Sequence, residues 1–192
     1  MIPLTPIRRR WLTVALLLGT GLHAQVGGVL QQEDDLRAAL VLGFARFTEW
    51  PAGQREGPLV IGVLGYAGIL ASMEKVAVGK SVNGRPVTVR PLRSAAQATG
   101  CHIVYFGRLQ GLKLADVLKE MLAAEARPAR LLIGEDDRFL SAGGAVHLFE
   151  EDGRMSFDAN LDALQRANLT ISSKLLRLGY TTRDNKRGRT KP

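Results

Sequence analysis

The chain has 192 residues, 46% of them hydrophobic and 23% charged, with a net charge of +8. This suits one domain of ordinary size with a real core, and it excludes wholesale disorder. Arg8, Arg9 and Arg10 at one end and the cluster from Arg183 to Lys191 at the other hold nearly all the excess charge, leaving about +1 between them. A nucleic-acid-binding face is therefore not expected.

Arg8-Arg9-Arg10 precedes an apolar run over 11–18 and a small residue, Ala24. A basic start, a short apolar core and a small residue at the cut predict a secretory signal over 1–24, cleaved after Ala24. The run is too short for a hydrocarbon layer of ~30 Å, so a permanent anchor is not expected. After a short lead over 25–32, the acids Glu33, Asp34 and Asp35 predict a helix start, since negative charge suits that end of the macrodipole. Leu36, Leu40, Phe44, Phe47 and Trp50 then recur at near-helical spacing and are read as its inward stripe, stopped by Pro51.

Strands follow at 59–65, 87–92, 101–106 and 130–134, with helices over 69–76 and 114–126 and a helical turn at 94–99 between them. Asn83-Gly84 marks a turn, and Glu151-Asp152-Gly153 has hairpin chemistry between 145–150 and 154–157. Short helices over 161–167 and 173–178 end a domain covering 33–180, and the basic tail 181–192 is expected to be solvated and disordered. Strands alternating with helices predict a single three-layer α/β domain, its sheet largely parallel with helices on both faces and an antiparallel hairpin at one edge.

No catalytic residues stand out. Ser, His and Asp form no nucleophile arrangement, and Gly62-x-x-Gly65-x-x-Gly68 lacks the tight Gly-x-Gly of a dinucleotide loop. Cys101 and His102 are adjacent on a strand, point to opposite faces and cannot share an ion, so no metal and no cofactor are assigned. Cys101 has no cysteine to pair with inside the chain. Glu135-Asp136-Asp137 follows a strand and reads as loop carboxylates or caps, with a ligand contact as the alternative. Arg46, Glu49 and Trp50 are partner- or ligand-binding candidates, because an aromatic anchor beside an arginine is a common hot-spot pairing. Arg154 and Asn160 join them, Asn160 being equally suited to capping the next helix. Leu175, Leu176 and Leu178 offer more apolar surface than one helix face needs, and a surplus leucine could meet a partner or a second copy of the chain.

Five pieces of the chain in order are similar to the YfiR family of periplasmic regulators, over roughly 36–178. They are Phe44-Ala45-Arg46-Phe47-Thr48-Glu49-Trp50-Pro51; Ile61-Gly62-Val63-Leu64-Gly65 with Gly84-Arg85-Pro86-Val87; Cys101-His102-Ile103; Gly134-Glu135-Asp136 with Phe139 and Gly143-Gly144; and Arg154, Phe157 and Asn160-Leu161, closing on Ile171-Ser172-Ser173-Lys174-Leu175-Leu176. Ala159 stands where the family tends to carry Ile, and Cys101 lacks the disulfide partner that relatives often have. The resemblance implies a periplasmic, non-enzymatic protein, dimeric, that binds the periplasmic part of a membrane-bound diguanylate cyclase. It would hold that enzyme down, lowering cyclic-di-GMP and biofilm signalling, while an outer-envelope protein relieves the hold. A small-molecule-sensing module acting on another membrane receptor is the alternative.

Overall fold

The computed structural model describes residues 21–65, 67–109, 113–123, 128–183 and 186–190. Most of the expected secretory signal, residues 1–20, lies outside the described residues.

The first helix, α1, runs from Gly21 to Phe47, well ahead of the expected start at Glu33. No proline interrupts residues 21–33, and the acids serve inside the helix instead of at its end. Glu33 and Asp34 each lie 3.4 Å from Arg37, the i,i+4 and i,i+3 pairs that a helix surface favours. The buried stripe also differs from expectation. Ala38, Val41, Phe44 and Ala45 are fully buried, while Leu36 is 50% and Phe47 39% exposed. Residues spaced by four advance about 40° per step around a helix of ~3.6 residues per turn, so a row from Leu36 to Phe44 drifts from solvent into the core.

The helix ends before Trp50. Strand β1 (Thr48–Glu49) pairs antiparallel with β9 (Thr170–Ile171) as a separate ribbon. The remaining strands are β2 (Leu59–Leu64), β3 (Ser81–Val82), β4 (Arg85–Leu92), β5 (Ile103–Phe106), β6 (Leu131–Gly134), β7 (Val146–Glu151), β8 (Arg154–Asn160), β10 (Tyr180–Arg183) and β11 (Lys186–Thr190). They form one sheet in the order β11-β10-β8-β7-β6-β5-β2-β4-β3. Strands β4, β2, β5, β6 and β7 are mutually parallel, as expected. The β7–β8 hairpin turns the sheet antiparallel through Asp152 and Gly153, both at positive φ (51° and 71°), the signature of a two-residue primed turn. Asn83 and Gly84 (51° and 79°) make the same turn between β3 and β4.

Alternate residues of the parallel strands feed two cores. Ile61, Val63, Ile103, Tyr105, Leu131 and Ile133 face α1, α2 (Ala67–Ala77), α4 (Leu161–Arg166) and α5 (Ser173–Leu176). Leu64, Val104, Phe106 and Leu132 face α3 (Leu114–Ala123) and the turn Ala95–Ala98. The fold is a single three-layer α/β domain.

The tail departs from its expected disorder. Strand β10 lies parallel to β8, with Tyr180 opposite Asp158, and β11 returns antiparallel beside it. The outer edge of β8 offers unpaired backbone groups, and side chains fix the addition: Thr181 is 7% exposed, Tyr180 donates to Glu151 at 2.9 Å, and Arg183 meets Asp162 at 2.7 Å.

Candidate functional site

At the N-terminal ends of the parallel strands, Trp50 is 5% exposed and packs edge-on against His102, ring centroids 5.6 Å apart. His102 Nδ1 accepts from the Val60 backbone N–H at 3.2 Å, and Arg85 Nη2 lies 2.8 Å from its other ring nitrogen. Arg85 itself donates to the carbonyls of Gly57 and Pro58 at 2.9 and 3.1 Å. Burial, with Arg85 adding to it, holds the His102 pKa below its usual value. The ring therefore links the starts of β2 and β5 and packs beside Arg85 at the start of β4. Cys101 faces the other core, where Arg90 Nε and Nη2 approach its sulfur at 3.3 and 3.2 Å.

Arg46, Glu49 and Trp50 come together as the sequence suggested. They line a cleft of about 620 Å³ with Phe47, Arg55 and Arg85, between the end of α1, the β1–β9 ribbon and β3. Arg46 and Glu49 are exposed. The Thr48 hydroxyl donates to the Phe44 carbonyl at 2.7 Å, and Ser172 N–H to the Phe47 carbonyl at 2.9 Å, which fixes the chain's exit from α1.

The other candidates are not part of this cleft. Arg154 is exposed at the start of β8, beside Tyr180 and Leu178 in a separate depression. Asn160, at the other end of β8, is 3% exposed and accepts from the N–H groups of Asp162 and Ala163 at 3.0 and 3.1 Å, so it caps α4. Leu175 is 6% exposed and belongs to the core, and Leu176 packs against that core partly buried. The exposed leucine of this segment is Leu178, at 73%.

A second constellation gathers around Glu135-Asp136-Asp137, which the sequence singled out, but its partners Arg37, Tyr105 and His147 escaped the sequence reading. At the C-terminal end of β6, Glu135 lies 3.7 Å from Arg37 Nε and accepts a hydrogen bond from the Tyr105 hydroxyl. His147 Nε2 sits 3.3 Å from the Glu135 carbonyl and 3.7 Å from Asp137. Burial raises the Asp34 pKa, Arg37 opposes the rise, and Glu135 and Glu33 add to it. Burial likewise pushes the Tyr105 phenol up, with Glu135 adding to the shift. Asp136, by contrast, is pulled down to about 2 by its hydrogen bonds to Arg138. Arg37, Glu135, Asp136, Asp137 and Arg138 border a cleft of about 790 Å³ at the ends of β5 and β6, with Arg108, Lys113 and Phe149 on its walls. Strand order reverses beside it, at β2 and β5, the place where open α/β sheets hold ligands. Gly65 permits the close approach there: at φ 119°, its Cβ would lie 2.9 Å from the Arg108 carbonyl oxygen. The i+3 and i+4 spacing of Arg37 from Asp34 and Glu33 was the available signal, but its long-range partner was not legible.

Among the described residues, no three His, Cys, Asp or Glu side chains are grouped to hold a metal, and no helix is long and apolar enough to cross a membrane. Fold and sites together describe a three-layer α/β domain with two open clefts. Residues 34–180 match the YfiR/HmsC-like family, and the chain belongs to it. That family consists of periplasmic regulatory proteins. A solved structure, titled as a conserved domain protein from Vibrio cholerae O1 biovar El Tor strain N16961, shares the fold at 12% identity with a TM-score of 0.52. The match covers 78% of this chain and 60% of that one, so the chain spans about three fifths of that protein's length.

Proposed function

We propose that the chain is exported, loses its leader after Ala24, and represses a membrane-bound diguanylate cyclase by binding the enzyme's periplasmic part. Lower cyclic-di-GMP and reduced biofilm signalling follow. The observation that carries this reading is the family match, which runs from the second half of α1 to the first residue of β10 and so takes in both clefts. The contact surface is the edge formed by Arg46, Glu49 and Trp50 together with the outer face of α1. Leu36, Ala39, Leu40, Gly43 and Phe47 line that face, which continues into the cleft through Phe47. Arg154 and the surface beside Leu176 serve a second contact, either a homodimer or the outer-envelope protein that relieves repression. Deleting the gene is expected to raise cyclic-di-GMP, and the purified protein is expected to bind the cyclase's periplasmic part. Unchanged cyclic-di-GMP in the deletion strain would overturn the reading.

A second reading has one specific support, the cleft at the ends of β5 and β6, which makes a small-molecule-sensing module acting on another membrane receptor the alternative. Thermal-shift screening separates the two: a strong shift with a metabolite and no contact with a cyclase favours the sensor.

A further inference from the structure

We infer that the arginine-rich cleft between β1 and β3 docks an extended, acidic peptide segment of the partner, an assignment that rests on the binding role proposed above. The cleft draws Arg46 from the end of α1, Arg55 from the loop beyond it and Arg85 from β4, against the single carboxylate of Glu49. Two exposed guanidiniums, with the buried one of Arg85 behind them, stand against one acid and make a positive patch on a body whose charge is otherwise nearly balanced. Arg46 and Arg55 are exposed, and among the described residues neither has an acidic partner. Arg55 spends its Nε on the Trp50 carbonyl at 2.6 Å, which holds the side chain in place and leaves its Nη groups for another acceptor. Guanidiniums presented this way pair best with planar, bidentate carboxylates.

Strand edges supply the second half of the argument. Strand β1 pairs with β9 alone and β3 with β4 alone, so each is an outermost strand with one edge that no other described strand pairs, with Thr48 and Val82 themselves buried. Both strands line the cleft, through Thr48 and Glu49 and through Val82, with Asn83 of the following turn beside it. An extended chain can add to such an edge, with main-chain hydrogen bonds giving affinity and side-chain contacts giving specificity. A helix already has its backbone groups paired and would leave these edges unused. A basic segment would face the like charges of Arg46 and Arg55.

The test uses the purified chain and a capped, fluorescein-labelled peptide of alternating Asp and Val, with a Lys–Val peptide of the same length as its counterpart. Anisotropy is expected to show binding of the acidic peptide alone, weakening as salt is raised. The double variant R46E/R55E, both sites being exposed, is expected to fold as judged by circular dichroism and to bind at least about tenfold more weakly. E49K should bind more tightly, and K119E on α3 should match the parent. Equal binding of the Lys–Val peptide or of phosphatidylglycerol vesicles would overturn the assignment, as would undiminished binding by R46E/R55E. The same two proteins are then titrated with the periplasmic segments of the organism's membrane diguanylate cyclases. Equal binding of parent and variant removes this docking site and leaves the repressor intact. Binding of the acidic peptide without any cyclase segment removes the repressor and leaves the site.

Discussion

Arg37 on α1 and Glu135 at the end of β6 stand 3.7 Å apart, and this pair ties the first helix to the C-terminal edge of the sheet. The guanidinium also lies 3.4 Å from both Glu33 and Asp34, so one cation offsets three acids at a site where its own side chain is 13% exposed. Removing it strands three carboxylates together. Arg37→Met is expected to cost about 2–4 kcal/mol in urea unfolding, between the values for exposed and buried pairs. Arg37→Lys should restore part of the loss, since an ammonium cannot reach three acids with a planar fork.

Asp34 in the same cluster gives a signed pH effect. Burial raises its folded-state pKa above the ordinary 3.8, with Glu135 and Glu33 adding to the rise. The folded state therefore binds this proton more tightly than the unfolded chain does. The resulting stabilisation is complete below the unfolded pKa and is lost as pH climbs through the folded value. At neutral pH the ionised Asp34 is thus a liability. Asp34→Asn is expected to raise the melting temperature at pH 7, by less than about 5 °C, and to leave it unchanged near pH 3. A variant less stable than the parent at pH 7 would show that the bond to Arg37 outweighs desolvation.

Phe139 is held between two glycines. A Cβ on Gly134 would lie 2.4 Å from its ring and one on Gly144 2.2 Å, and the ring itself is 0% exposed. With no space for the ring to move, Gly144→Ala should destabilise by about 1–3 kcal/mol through overpacking. Adding Phe139→Leu should recover part of that loss in a double-mutant cycle, because the two sites share one space. Additive losses would mean that the backbone, not the ring, absorbs the clash.

The same ring shows what was legible in sequence and what was not. The order Gly134, Phe139, Gly143-Gly144 was visible as a motif, but its cause, a phenyl ring clasped by bare backbone, is a contact in space. Local signals read well where geometry is local. Short apolar runs bounded by turn residues located β2, β4, β5 and β6, and Asp152-Gly153 fixed the hairpin turn. The stripe on α1 failed because near-helical spacing tolerates a drift that burial does not. The tail failed because composition gives no sign that β8 has an open edge to receive β10. Trp50, Arg46 and Glu49 were found together because the chain keeps them within five positions, whereas Arg37 and Glu135 are joined only by the fold.

His102 should make stability fall on mild acidification. Its folded pKa lies below the ordinary 6.5 because of burial and the nearby Arg85. The unfolded chain therefore takes up this proton first. The contribution is fully present above pH 6.5 and declines as pH falls below it, by at most about 1.4 kcal/mol per pH unit. His102→Asn, which keeps an acceptor for the Val60 N–H, is expected to start less stable and to lose this slope. Urea midpoints between pH 7 and pH 5 measure it, and an unchanged slope would place the titrating group elsewhere.

The outer face of α1 offers a separation of stability from function. Leu36 and Phe47 are 50% and 39% exposed, so replacing both with glutamine, a good helix former, removes only part of what a fully buried pair would contribute. The double variant L36Q/F47Q is expected to cost about 1–3 kcal/mol in unfolding and to leave the fold intact. If this face meets the cyclase, as proposed, the same variant should raise cyclic-di-GMP toward the level of the deletion strain while its periplasmic amount stays normal on an immunoblot. Repression that survives the change would move the contact off α1 and onto the arginine cleft alone. A loss of repression accompanied by loss of the protein would mean instead that the two side chains support the fold.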